Sequence, residues 1–558
     1  QLVTAAAAEG RRHLGPDLRG RLERLLRAAA AAAGGELETA RGFASILTTE
    51  FLQVTSKEFK AFALGWAVAA VLPPPSNEEA SPPQVAAAGR RVLLAFGGVQ
   101  ELPSAWAPVR DNQGALLDLL LGPVDPSSAC GGGCWPGRAA AHAALSAALR
   151  CRRTDFRDQE ASSPPAGGEE GGAGGEEEIK EGLLSSLEND LNEMKIFEDV
   201  ERAERQRDIE IACRILPVQL RSYLESFKSF KDLLKFRIMR DYNTCMHNDE
   251  DLMPEDTDEE VLPCIEEKIF LLACLLLMDF VASVDDSDDL AKGALSSYVS
   301  HIRLIPMIVE ICFVNMQEKQ LNKFKVPNLS AMVVSEMDLA AEDSKDMMPF
   351  CMKVFYQTVE AFPALVRHWW SHDCRRGLNG RVSRFTEEHV GPMIMQREID
   401  KIREAEANGK WGDTSEMTVR GSKVSREVTA TYMKDECSLE VVIKVPASYP
   451  LANVEVNCTR RLGVAEGRWR RWVLQIVTLL GTQDGSVLDA VLLWKQNVDR
   501  EFEGVDPCPI CFSILYPKDH ALPTLPCKTC QNKFHSACLY KWFHTSRKNK
   551  CPLCQQPF

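Results

Sequence analysis

The feature that most constrains this chain is an ordered series of eight metal-ligand residues near its C-terminal end. It reads Cys508-x2-Cys511-x15-Cys527-x2-Cys530-x4-His535-x2-Cys538-x12-Cys551-x2-Cys554. A segment this short buries too little apolar surface to hold itself folded, and metal is the usual substitute. Each close pair spans one tight turn and supplies two corners of a tetrahedron, with Zn–S near ~2.3 Å. Eight ligands admit several pairings. In a cross-brace the first and third pairs share one ion, so that Cys508, Cys511, His535 and Cys538 form one site. The second and fourth pairs share the other, through Cys527, Cys530, Cys551 and Cys554. Two Zn²⁺ ions held in this way have full protein coordination and no open position, which makes them structural; their binding energy is then folding energy. His544, in Trp542-Phe543-His544, fits a helix face better than a ligand position.

The rest of the chain is too long for one core, since single cores stop growing near about 250–300 residues. A net charge of −14 argues against nucleic-acid binding by the chain as a whole. The acid is concentrated at 169–178 and 249–260. From Cys508 on the chain is basic, with Lys518, Lys528, Lys533, Lys541, Arg547, Lys548 and Lys550 against Asp519 alone. Of the 19 Cys, those outside the series are scattered singly, many within apolar helical stretches such as Ile311-Cys312-Phe313. That is the usage of reduced, buried thiols, and it implies a cytosolic or nuclear compartment. The longest apolar run, 269–278, lies between Lys268 and Asp279 and is too short to span a bilayer, so no membrane insertion is expected. No signal peptide is visible, and the opening Gln1 suggests a fragment or a processed form.

Five segments follow from the patterning. Residues 1–160 are Ala- and Leu-rich with helical periodicity, interrupted at 73–83 and 123–137. The pair Cys130 and Cys134 has no second ligand pair nearby and is not read as a metal site. Residues 161–179 are Gly, Glu and Pro in the main and read as a disordered linker. Residues 180–390 are helical again, with candidate helices at 179–191, 201–227, 265–284, 295–317 and 347–361. Helices in series without strands suggest an all-α, HEAT-like solenoid, with an irregular helical bundle as the alternative. Over 391–503 the period changes. A charged helix at 396–408 precedes alternating runs, Val424 to Tyr432 and Leu439 to Val445, and a shorter one at Val454-Glu455-Val456. Two amphipathic helices follow, one presenting Trp469, Trp472, Val473, Ile476, Val477 and Leu480, the other Val487, Leu488, Val491, Leu492, Trp494 and Val498. Helix, antiparallel meander and two helices make a small α+β domain. Residues 504–558 are the zinc segment.

The ligand order of that segment resembles both the RING fingers of ubiquitin ligases and the PHD fingers that read histone tails. Residues between the ligands separate them. PHD fingers place an aromatic two residues before the seventh ligand, where this chain has Asn549. RING fingers place Ile or Leu before the second ligand, Trp in the helix after the sixth and Pro after the seventh, and here these are Ile510, Trp542 and Pro552. The resemblance implies that Ile510, Trp542, Pro552 and the adjacent Leu553 form a shallow apolar groove for a ubiquitin-conjugating enzyme. It also implies no covalent ubiquitin intermediate on the ligase, which works by orientation. Many RINGs carry a cation after the last ligand to hold the reactive geometry; this chain has Gln555, which can hydrogen-bond without charge assistance.

Upstream, Tyr449-Pro450-Leu451 between a strand and a short strand is similar to the turn of the RWD fold, a relative of ubiquitin-conjugating enzymes. Helical repeats, RWD and a C-terminal RING in this order, with Phe362-Pro-Ala-Leu-Val-Arg-His-Trp-Trp370 before them, resemble the listerin family of ubiquitin ligases. That resemblance implies a cytosolic, ribosome-associated ligase, expected as a monomer, that modifies stalled nascent chains for proteasomal degradation. Its implied partners are a charged conjugating enzyme, the large ribosomal subunit near the exit tunnel and nuclear export mediator factor. Arg460, Arg461, Arg468, Arg470 and Arg471 offer a surface for rRNA phosphates. The alternative is a zinc-stabilised adaptor or PHD-like reader without ligase activity.

Overall fold

The computed structural model describes residues 55–72, 83–97, 107–122, 135–160, 202–227, 265–285, 288–316, 324–334, 346–411, 416–434, 437–460, 466–516 and 521–558, with a few isolated positions between them. The linker at 161–179, the helix read at 179–191, the Cys130/Cys134 pair, Arg461 and Asp519 lie outside those residues. The chain divides into two compact units, Gln1–Ala361 and Phe362–Phe558.

Among the described residues of the first unit, every regular element is a helix. Its centre is the helix Ile265–Ser283, in which every residue from Ile269 to Met278 is buried. A helix apolar all round must be enclosed by others, and this one packs against Trp135–Glu160 and Met347–Ala361. Two helices read as continuous are broken. The one at 201–227 ends before Pro217, and a second turn of helix starts at Val218. Proline lacks the N–H that an interior position would need. The one at 295–317 is two helices, Asp289–His301 and Leu304–Asn315, bent by 67°. Arg303 is left-handed (φ 51°) at the break, and Pro306 fits only in the first turn of the second helix. Among the described residues no single helix is long and apolar enough to cross a membrane. This bent pair passes by length and composition, and Leu304 to Phe313 are nearly all buried within the unit.

The second unit begins with α1 (Pro363–His372) and α2 (Arg376–Phe385), which continues through one π turn, Thr386–Val390, into α3 (Gly391–Ala407). Gly391 lets α3 start against the carbonyl of Ala447, where a Cβ would collide. An antiparallel meander follows in the order β1 (Met417–Ser422), β2 (Glu427–Lys434), β3 (Cys437–Lys444) and β4 (Glu455–Arg460). The alternation read from sequence sets the β2–β3 register: Val428 faces Ile443, Ala430 faces Val441 and Tyr432 faces Leu439, all buried. Direct cross-strand apolar pairs of this kind fix register, because a one-residue slip would turn them all outward. Val424 departs from the expectation. It sits in the β1–β2 turn, 99% exposed, and β2 starts after the left-handed Arg426.

Helices α4 (Glu466–Thr482) and α5 (Val487–Phe502) cover the sheet with Trp469, Trp472, Ile476, Leu480, Val487, Val491, Trp494 and Val498, as their periodicity requires. Ser486 and Asp489 form a reciprocal capping box at the start of α5. The buried Glu398 of α3 accepts from the Val487 N–H at 2.8 Å and pairs with Lys401 at 3.0 Å. Helix α1 is tied to this domain by Arg367. Its Nε donates to the Pro450 carbonyl at 2.7 Å and its Nη1 donates to the Gly481 carbonyl. The Ala364 N–H donates to Asp484 at 2.7 Å. The Tyr449–Pro450 bond, in the turn that Arg367 grips, is cis.

Candidate metal centre and docking face

The last segment carries a two-stranded ribbon, β5 (Leu525–Pro526) and β6 (Lys533–Phe534), and one helix, α6 (Ser536–Ser546). Three Cys-x-x-Cys turns share one backbone pattern. The N–H of Phe512 donates to the Cys508 carbonyl at 2.7 Å, that of Gln531 to Cys527 at 2.9 Å and that of Gln555 to Cys551 at 3.1 Å. In return the N–H groups of Cys508, Cys527 and Cys551 donate to the carbonyls of Ser513, Asn532 and Gln556. Each turn thereby holds two sulfurs on one side. The remaining pair is built differently: His535 is the N-cap residue of α6 and Cys538 lies in its first turn.

The structure gathers Cys508, Cys511, His535 and Cys538 into one group and Cys527, Cys530, Cys551 and Cys554 into another, with the ligand atoms of each within 4.8 Å of one another. Of the pairings open to eight ligands, this is the cross-brace. The Cys527–Cys554 and Cys530–Cys551 sulfurs are both 3.7 Å apart, and Cys511 Sγ lies 3.3 Å from His535 Nδ1. Tetrahedral thiolates around zinc at about 2.3 Å have edges of about 3.8 Å, so the donors fit that ion in type, number and spacing. The Nε2 of His535 is 2.9 Å from the Ile514 carbonyl. Donating there leaves Nδ1 as the ligand atom, the outer contact that metal-bound imidazoles require. Burial pushes Cys538 up to about 12 and Cys551 up to about 11. The Asn532 side chain, then its backbone, holds Cys530 down to about 6. A cation bound among them favours the thiolate of each.

Between the two groups lies a small core of Phe534, Leu539, Phe543 and Phe558. The Phe543–Phe558 rings meet edge to face at 5.6 Å and Phe534–Phe558 at 6.0 Å. Trp542 is not part of it. Its indole is half-exposed, and Nε1 donates to the Lys550 carbonyl at 3.1 Å, which holds the strand before Cys551 beside α6. Ile510 and Pro552 are half-buried, Leu553 is 49% exposed, and Gln555 is exposed with its Nε2 donating to the Pro552 carbonyl at 3.4 Å. Sequence reasoning missed Phe543 and Phe558. Their only signal was the spacing of Phe534, Leu539 and Phe543 around the ligands. His544 is exposed and joins neither ligand group.

The five arginines are placed less uniformly. Arg468 forms a two-oxygen ion pair with Glu501 at 2.6 Å, and Arg470 pairs with Glu466 at 2.7 Å. Arg471 is exposed on α4, Arg460 ends β4, and Arg461 lies outside the described residues.

Comparison with known proteins places these features in families. Residues 506–555 match the Ring finger domain family, 417–501 the Ubiquitin conjugating domain-like family, and 243–403 the LTN1 family HEAT repeat region. The E3 ubiquitin-protein ligase listerin of Gallus gallus is 41% identical over 207 residues, 37% of this chain and 11% of the relative. That of Mus musculus is 42% identical over 207 residues, with the same coverage. That of Saccharomyces cerevisiae is 35% identical over 215 residues, 38% of this chain and 14% of the relative. The C-terminal region is similar to that of the listerins. The chain thus combines HEAT-like helices, a domain of the conjugating-enzyme-like class and a RING, and it matches only 11 to 14% of the length of these listerin relatives.

Proposed function

We propose that the chain acts as a RING-type ubiquitin ligase. The observation that carries this reading is the pair of closed four-donor groups with Ile510, Trp542, Pro552 and Leu553 partly exposed on the turns and helix they brace. Four protein donors in each group suit two structural Zn²⁺ ions, whose contribution is to fold the segment. The chain's own residues then supply a rigid apolar face. A preordered patch of this kind costs little conformational entropy on docking. It holds the conjugating enzyme while Gln555 hydrogen-bonds at the enzyme–ubiquitin junction. The transfer is an orientation effect: the ubiquitin thioester on the conjugating enzyme is kept in a conformation open to attack by a substrate lysine. No residue of this chain forms a bond to ubiquitin.

The substrate reading rests on the family resemblance drawn from the sequence. The chain marks stalled nascent chains on the large ribosomal subunit for proteasomal degradation, in the cytosol, as a monomer and with nuclear export mediator factor as a cofactor. An RWD-like binding role for 391–503 supports it, as does exposed Arg471 on α4.

The test is lysine-stimulated discharge of a ubiquitin-charged conjugating enzyme by the full chain. Trp542→Ala is expected to slow discharge at least about tenfold, the effect of truncating an aromatic anchor. Equal, background rates for wild type and variant would mean a zinc-stabilised adaptor instead.

A further inference from the structure

The residue after the second cysteine is left-handed in all three Cys-x-x-Cys turns: Phe512 (φ 61°), Gln531 (φ 59°) and Gln555 (φ 62°). The shared hydrogen-bond pattern imposes that conformation. It suits Gly or Asn and is strained for a bulky side chain. Phe512 is therefore a poor local choice, and its ring gains nothing from the interior. It is 81% exposed and takes no part in the core built by Phe534, Phe543 and Phe558. A lone exposed aromatic is ordinary on a surface. A lone exposed aromatic at a position that disfavours it needs a reason outside the fold.

The first and third turns supply that reason, because they correspond residue for residue. Cys508-Pro509-Ile510-Cys511-Phe512 matches Cys551-Pro552-Leu553-Cys554-Gln555, with the same backbone bonds and nearly the same φ at the last position. Ile510 on one turn and Pro552 and Leu553 on the other belong to the docking face. On the ligase reading, Gln555 is the residue on the third turn that reaches the bound pair. Phe512 occupies the equivalent place on the first turn, two residues from Ile510 on the same metal-braced loop. From this correspondence we infer that Phe512 is a further anchor for the conjugating enzyme, lying on apolar surface beside the enzyme's docking loops. It discriminates between conjugating enzymes by whether that surface is apolar or polar. The inference rests on the ligase reading above. The occupant is the conjugating enzyme rather than a second copy of this chain, because Phe512 lies two residues from Ile510 on the same metal-braced turn.

Binding of each of a panel of purified, uncharged conjugating enzymes to the full chain tests this, with Phe512→Gly and Phe512→Leu beside the wild type. Glycine relieves the left-handed strain, so the zinc content and melting temperature of Phe512→Gly are expected to stay equal or rise. Affinity is expected to fall about tenfold, as for loss of an aromatic anchor. Raising the conjugating-enzyme concentration is expected to restore its discharge rate, since an anchor acts on KM. Phe512→Leu, which keeps an apolar contact, should lose less. Wild-type affinity in Phe512→Gly across the whole panel overturns the inference, as does a changed oligomeric state with unchanged affinity. A wild-type chain that discharges ubiquitin while Phe512→Gly matches it in binding sinks this inference alone. A wild-type chain that neither binds nor discharges any enzyme sinks the ligase reading with it.

Discussion

Arg367 is a side chain whose removal the second unit tolerates poorly. It is almost fully buried and serves two backbone carbonyls, Pro450 and Gly481, from opposite sides of its fork. Burial draws its pKa down, against the smaller opposing influence of Tyr449 and Asp484. Arg367→Met is expected to leave both carbonyls without a donor and to destabilise the unit by about 3 kcal/mol. Arg367→Lys should not rescue it, because one ammonium cannot reproduce the planar fork. Amide exchange at 449–451 and 481–485 reports the loss locally; unchanged protection there would refute the clamp. At the docking face the residue to change is Gln555. Under the proposed ligase reading, Gln555→Arg adds charge to a contact that the wild type would make as a neutral amide, an expected gain of about 1 kcal/mol, or about fivefold in discharge rate. It should raise the rate at saturating conjugating enzyme and leave the melting temperature alone. A variant no faster than wild type would mean that the activating contact is made elsewhere.

At the scale of elements, what could be read from the chain was what has a local period or a covalent spacing. The turns around Cys508, Cys527 and Cys551 follow from two-residue gaps between ligands. Helices α4 and α5 follow from apolar repeats about a turn apart, and β2 and β3 from strict alternation. Strand β1 escaped because only Met417 and Val419 are buried along it, and its last three residues are exposed. The helix break at Arg303 escaped because left-handed Arg has no sequence signature, although Pro306 marked the restart. The Arg367 grip could not be read at all. It joins residues more than eighty positions apart through carbonyls, which every residue carries. The zinc segment shows the opposite balance, with ligands legible and the aromatic core of Phe543 and Phe558 not. That core is small, so the metal decides whether the segment folds. Adding a chelator to the full chain is expected to abolish amide protection at 525–558 while β2, β3, α4 and α5 keep theirs, since their core is separate. Leu515 marks the limit of the effect: it is buried in the α+β core, and its neighbourhood should retain protection. Protection surviving chelation throughout 525–558 would show that the aromatic core suffices without metal.

For the whole molecule the relevant quantity is where charge is left uncompensated. The chain carries −14, yet the zinc segment is basic and all seven of its cations are exposed. Upstream, the arginine group that the sequence offered to rRNA phosphates is not equivalent residue to residue. Arg468 is engaged with Glu501, whose side chain is only 5% exposed, and Arg470 with Glu466. Arg471 is exposed beside them on α4. A paired guanidinium adds little to the surface potential, whereas an unpaired one can displace a counterion from a phosphate. Under the proposed docking to the large ribosomal subunit, Arg471→Ala should therefore weaken binding and lower the slope of log K against log salt by about 1. Arg470→Ala should do less. Arg468→Ala should act mainly on stability, by stripping a nearly buried carboxylate of its partner. Co-sedimentation of the full chain with large subunits across a salt titration, together with melting curves, separates the three. Equal slopes for all three variants would mean that this helix end faces solvent, and that any phosphate contact the chain makes lies elsewhere.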